Sequence, residues 1–287
     1  ADSGGAVVLI THKLDEVFAA ADRVTVLRRG RVTLTGKVAA ESPASLAEAM
    51  LGSALPRTSR VPAVPGDVLV RGESLLIGGP PQSFAMRSGE VVGIAAIEGN
   101  GQRELLRAIA GVVPARGTLE VATPVAFVPE DRTREALIPA FTLTENLLLG
   151  VLDRAGAWID WTAWRARTKQ LLEEFDVRAD GPETLAAQLS GGNQQKLIFA
   201  RAFERAPRVL VAEDPTRGLD ILATQAIHER LRAAAAQGMA VVMYSSDLDE
   251  VLAIADRVLV IANGVIRELP VDASREVVGQ ALLGVGQ

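Results

Sequence analysis

The sequence has 287 residues, 48% hydrophobic, 23% charged and 4% aromatic, enough for one large or two modest domains with a real core, and this excludes a disordered or fibrous chain. The absence of cysteine excludes a disulfide framework, a thiolate zinc site and a thiol nucleophile, and a reducing compartment is the default. Thirty Lys and Arg against 35 Asp and Glu give a net charge of -5 without a basic block, so nucleic acid is not an expected partner.

In chain order, the first feature is a long-range repeat. Residues 7–32 align without gaps on residues 241–266 at a constant offset of 234, with 13 of 26 positions identical, among them Leu14-Asp15-Glu16-Val17 with Leu248-Asp249-Glu250-Val251 and Asp22-Arg23-Val24 with Asp256-Arg257-Val258. Shared hydrophobicity alone does not produce such matches at one offset. Residues 1–52 therefore read as the C-terminal remnant of one domain copy, with a strand at Ala6 to Ile10 that ends before His12. Residues 53–66, Pro-rich and polar, read as a linker, and residues 67–287 as the second copy. Ala1 aligns with Ala235, well inside the second copy, and is not Met, so the sequence is expected to start at a processing site or a fragment end.

In the second copy, apolar Val91 to Ala96 leads through a Gly-containing turn into a helix from Gln102 to Ala110. Strands at Val125 to Val128, Arg208 to Ala212, Ala240 to Tyr244 and Arg257 to Ile261 alternate with helices near 161–175, 191–205, 220–236 and 247–255, and a last helix spans Ser274 to Leu283. That alternation predicts an α/β fold with a mainly parallel sheet and ligands at the carboxyl ends of its strands. Trp158, Trp161 and Trp164, at near-helical spacing, are expected to pack in a core, the charges of Arg165 to Glu174 to form a solvated face, and His228 to be structural. No apolar run approaches the roughly 18 residues of a membrane helix, so membrane contact is expected only through a partner.

The chemistry-bearing motifs lie at the ends of these strands. In Leu189-Ser190-Gly191-Gly192-Asn193-Gln194-Gln195, Ser190 can cap a helix whose glycines expose backbone N–H groups at a positive end, an anion site by geometry; alone, it would equally be an ordinary Ser N-cap. It is followed by an apolar strand ending in Glu213-Asp214-Pro215-Thr216-Arg217-Gly218-Leu219-Asp220, paired carboxylates of the kind that hold Mg²⁺ or orient water in phosphoryl transfer.

Together these segments resemble the nucleotide-binding domains of ATP-binding-cassette (ABC) transporters over nearly the whole chain. Val128-Pro129-Glu130-Asp131-Arg132 and Pro215-Thr216-Arg217-Gly218 are similar to the second domains of a narrower group, the tandem-domain ATPases of simple-sugar and nucleoside importers, with Ile97 to Gln102 and Leu248 to Glu250 nearer the nucleoside branch. The resemblance implies a P-loop-type parallel sheet with a helical signature subdomain at about 140–205, preceded by the tail of a first such domain. It also implies ATP and Mg²⁺ as cofactors and transmembrane permease subunits as partners. A solute-binding protein would act indirectly, and the first nucleotide-binding domain, or another ATPase chain, would face this one. Its place would be the cytoplasmic face of the cell membrane.

By the same resemblance, nucleotide contacts fall to Gly99, Asn100, Gly101, Gln102, Arg103, Glu130, Asp220 and Ser246, and across the domain pair to Ser190, Gly191, Gly192, Asn193 and Gln194. His12, aligned with Ser246, takes the place of the family's γ-phosphate histidine. The phosphate loop departs from the pattern G-x-x-x-x-G-K-[ST]. Its Lys is Gln102, its hydroxyl is Arg103, which has no lone pair for a metal, and Glu98 brings a carboxylate to the phosphates. The metal-binding Asp is Glu213 and the general base is Asp214, a degenerate catalytic pair. The expectation is an importer ATPase whose second site is degenerate and whose signature serves the first domain in trans. The alternative is a short pseudo-ATPase that binds nucleotide or a partner domain without hydrolysis. A soluble tandem ATPase acting on ribosomes or DNA is disfavoured by the altered loop and the absence of basic segments.

Overall fold

The computed structural model describes residues 4–11, 14–28, 30–51, 64–152, 158–270 and 272–283. They divide into two compact units, one holding residues 1–59 with 220–222 and the other the remainder. In the first, helix α1 (Leu14–Ala20) leads to an antiparallel pair, β1 (Arg23–Arg28) with β2 (Arg31–Lys37), and then to α2 (Pro43–Leu51), with Leu46 and Ala47 buried. Residues 6–10 do not form the expected strand: Val7, Val8 and Ile10 are 82%, 86% and 94% exposed. An apolar run becomes a strand only beside a neighbour that takes its backbone hydrogen bonds, and among the described residues of its unit none pairs with this segment.

The second unit follows the expected alternation. Its elements in order are β3 (Val68–Leu75), β4 (Gln82–Arg87), β5 (Val91–Ala96), α3 (Gln102–Ile109), β6 (Thr118–Val121), β7 (Val125–Val128), α4 (Leu143–Leu148), α5 (Trp161–Glu174), α6 (Gly191–Glu204), β8 (Val209–Glu213), α7 (Ile221–Ala236), β9 (Ala240–Tyr244), α8 (Leu248–Ile254), β10 (Arg257–Ala262), β11 (Val265–Leu269) and α9 (Arg275–Leu282). Six strands form one sheet in the order β11-β10-β5-β9-β8-β7, parallel except for the edge strand β11. A second sheet, β4-β3-β6, is antiparallel and was not anticipated from the sequence.

Because successive strand residues point to opposite faces, each central strand feeds two cores. Leu210 and Ala212 pack with Leu143, Leu147, Leu171, Phe175 and Phe199 of the helical part, whereas Val209 and Val211 pack with Ile94, Leu105, Leu106 and the antiparallel sheet. The tryptophans do not join this core. Asp160 caps α5 through the N–H groups of Thr162 and Ala163, which leaves Trp158 outside the helix at 92% exposure and Trp161 at 41%, while the buried face of α5 is Thr168, Leu171 and Leu172. Among the described residues no helix is long and apolar enough to cross a membrane.

The Asp-Arg pair of the repeat has a structural role here. Asp256 accepts the Val91 N–H at 2.9 Å and pairs with Arg232, and Arg257 pairs with the buried Glu90, so β5 and β10 are tied at their starts. At Gly93 in β5 an added Cβ would lie 2.5 Å from Val251 and 2.8 Å from Ala255. Gly93→Ala should therefore cost about 1–3 kcal/mol in urea unfolding, and an unchanged midpoint would contradict this packing of α8 on β5.

Candidate nucleotide site

The parallel strands deliver β5, β8 and β9 to one edge, where their following loops carry the candidate residues. Residues 97–101 turn from β5 into α3 with Gly99 at φ 90° and Gly101 at φ 98°. At Gly101 a Cβ would meet the Ile77 carbonyl oxygen at an impossible separation, so glycine is required on two counts. The turn is then filled from within. Gln102, 1% exposed, accepts the Asn100 N–H at 3.1 Å, donates to Glu98 at 3.1 Å and hydrogen-bonds the Tyr244 side chain, while Asn100 accepts the Asn263 N–H at 2.7 Å. Where a lysine would bring charge, a neutral amide serves the loop itself.

The acidic pair closes β8. Glu213 is 1% exposed, and burial pushes its carboxyl above the usual range against the pull of Arg107, whose Nε and Nη2 each donate to it at 3.2 Å. The same Nη2 reaches Glu135 at 2.7 Å, and pairing with both carboxylates raises the Arg107 guanidinium still further. Asp214 sits at φ 41°, a conformation few non-glycine residues adopt; its N–H donates to the Tyr244 carbonyl, and its Oδ1 accepts from the Ser246 N–H at 2.7 Å and hydroxyl at 3.0 Å. Burial raises the Asp214 carboxyl as well, opposed by those Ser246 bonds. Arg103 pairs with Glu130 and lies 3.7 Å from Glu98, and Arg217 pairs with the same Glu130.

These residues do not make a divalent-cation site. Both oxygens of Glu213 face a guanidinium, position 103 offers no oxygen, and among the described residues no group of three or more His, Asp or Glu could hold a metal ion. The signature residues bond elsewhere. Ser190, exposed, caps α6 by accepting the Asn193 N–H and side-chain amide; Asn193 accepts the Arg178 N–H at 3.0 Å, Gln194 donates to the Ala186 carbonyl, and Arg132 donates to the Gly191 carbonyl at 3.3 Å. Gly192 follows in the first turn of α6, and Asp220 directly precedes α7. His12 lies outside the described residues.

Arg107 was not anticipated, and Arg217 and Glu250 stood in recognised motifs without any of the contacts they make here. Glu250 is 9% exposed and binds the Thr216 hydroxyl at 2.7 Å, the Ser245 hydroxyl at 2.5 Å and His228 Nε2 at 2.8 Å. His228 thus has a structural partner, as expected of it. The signal for Glu250 was in the repeat: Ser245 and Glu250 align with Thr11 and Glu16, and Thr11 donates to Glu16 at 2.6 Å. The same hydroxyl–carboxylate bond stands immediately before Ser246 in one copy and position 12 in the other.

A parallel sheet whose strand ends present a glycine turn, a capped signature helix and an acidic pair defines a P-loop-type ATPase cassette. The ABC transporter family profile matches residues 81–217. The chain is 37% identical to the nucleoside import ATP-binding protein of Lactococcus lactis over 98% of its own length and 61% of that protein, and 39% identical to a glucose import ATP-binding protein of Haloferax volcanii over 99% of its length and 58% of that protein. A dimeric ATP-binding cassette in a post-hydrolysis state with bound ADP and phosphate superposes with a TM-score of 0.62 at 20% identity, covering 72% of this chain and all of that one, which shows the shared fold. Residues 81–217 thus form an ABC transporter domain, and the chain spans less than two thirds of the length of these two import proteins.

Glu250→Ala strands two hydroxyls and an imidazole without an acceptor and should cost about 2–4 kcal/mol of stability, with Glu250→Gln costing less; equal, negligible effects in thermal unfolding would contradict the network.

Proposed function

We propose that this chain is the ATP-binding subunit, or the larger part of one, of an importer for nucleosides or simple sugars, acting at the cytoplasmic face of the membrane. In this reading residues 1–52 close a first nucleotide-binding domain, 53–66 link it to the second, and 67–287 form the second. Nucleotide closes the two domains on each other and hydrolysis reopens them, and that motion drives alternating access in permease subunits that receive solute from a binding protein. The substrate assignment leans on the names of the relatives, a nucleoside and a glucose import protein.

The second domain's own site is hydrolytically silent in this reading. The observation that carries it is the clamp of Arg107 on Glu213, with Arg103 standing where a metal-binding hydroxyl would be. Gly99 and Gly101, both at positive φ, make a tight turn whose backbone a phosphate can approach once Gln102 yields, and this supports nucleotide occupancy without turnover. The helix start at Ser190, exposed and intact, serves the first domain's site in trans, alongside His12. Hydrolysis then belongs to that composite site, where the cis phosphate loop, metal carboxylate and base come from the first domain.

In the complete transporter, Ser190→Arg should lower ATP turnover by roughly 100-fold or more, the scale of losing a preorganised donor to transition-state charge. ATPase assay in proteoliposomes checks this, and a wild-type rate would refute the trans role.

A further inference from the structure

We propose that the Arg107 guanidinium is the resident cation of the 96–103 site, so that an adenine nucleotide binds there without a divalent metal ion. This deepens the reading of a silent, nucleotide-occupied site and rests on it. A metal ion at a phosphate needs oxygen ligands from the protein in near-octahedral geometry. Here the buried carboxylate at the end of β8, Glu213, has both oxygens engaged, each 3.2 Å from an Arg107 nitrogen. Arg107 cannot give up its proton, and its bond to Glu135 at 2.7 Å fixes it from the other side, so a cation at Glu213 would have to sit against a permanent positive charge.

The neighbouring carboxylates are committed as well, Glu98 of the loop to Gln102 at 3.1 Å and to Arg103 at 3.7 Å. Glu130 takes Arg103 on one oxygen and Arg217 on the other, and the side chain at 103 is itself a donor. Arg103 and Arg107 stand one turn apart on α3 and so share the face that follows the glycine turn. Guanidinium groups bind phosphate oxygens through paired N–H donors, and this site has three arginines where a metal-dependent one combines a lysine with an ion. The phosphate charge would thus be met by side chains already in place, with Glu130 and Glu135 yielding part of their pairing.

Equilibrium binding of a fluorescent ATP analogue to the full 287-residue chain, in Mg²⁺ and in EDTA, tests this. The affinity in EDTA should equal or exceed that in Mg²⁺; tightening by Mg²⁺ of more than roughly threefold would overturn the proposal. No binding under either condition would overturn it together with the nucleotide occupancy it rests on, while leaving the absence of hydrolysis at this site standing. Mg²⁺-dependent hydrolysis by the chain would overturn both. Arg107→Leu should weaken binding in EDTA by about tenfold and make Mg²⁺ tighten it, as Glu213 is freed. The wild-type comparison stands even if this variant does not fold.

Discussion

A carboxylate buried at the carboxyl end of a central parallel strand must find a positive partner, and in this protein that partner is an arginine of the helix after the glycine turn. Glu213 is almost fully buried, and an ionised group there without compensation would destabilise the fold by several kcal/mol. Arg107 answers it with two bonds, from Nε and Nη2, and takes Glu135 through the same Nη2, so α3, β8 and the segment after β7 are held by one guanidinium. The neighbouring charges follow the same logic, Glu130 between Arg103 and Arg217, Glu98 with Gln102 and Arg103. An arrangement that in a metal-dependent ATPase waits for an ion and a nucleotide is here largely compensated by the chain itself.

The scaffold around the site is built from residues the repeat preserves. Asp256 and Arg257 fasten the starts of β10 and β5, and Glu250 gathers Thr216, Ser245 and His228, joining the turn after the acidic pair to the end of β9. The first copy keeps the corresponding Thr11–Glu16 bond. Side chains that look like catalytic candidates because they recur can thus recur because they position the residue beside them. The two copies differ at the position that follows the hydroxyl, His in one and Ser in the other.

The central sheet was legible because its strands are buried on both faces and read as short apolar runs. The antiparallel sheet was not, since β3 and β4 mix buried and exposed positions without a clean alternation, and β6, which alternates, is only four residues long. Ala6 to Ile10 read as a strand because it repeats Ala240 to Tyr244, yet pairing is a tertiary property that a local repeat does not contain. The tryptophan spacing ignored the cap at Asp160, which sets where α5 begins and turns Trp161 outward. In the site, the motif positions were visible by their order along the chain, whereas Arg107 meets Glu213 across 106 residues and no local pattern announces it. Arg132, by contrast, lay inside a quoted motif, and only the fold shows that it reaches the Gly191 carbonyl.

The most direct test of this account is a high-resolution structure of the chain crystallised with a non-hydrolysable ATP analogue and millimolar Mg²⁺. The account predicts that Glu213 keeps both bonds to Arg107 and coordinates no metal, with guanidinium groups of α3 turned to the phosphates. A Mg²⁺ ion ligated through Glu213, with Arg107 displaced from it, would contradict it.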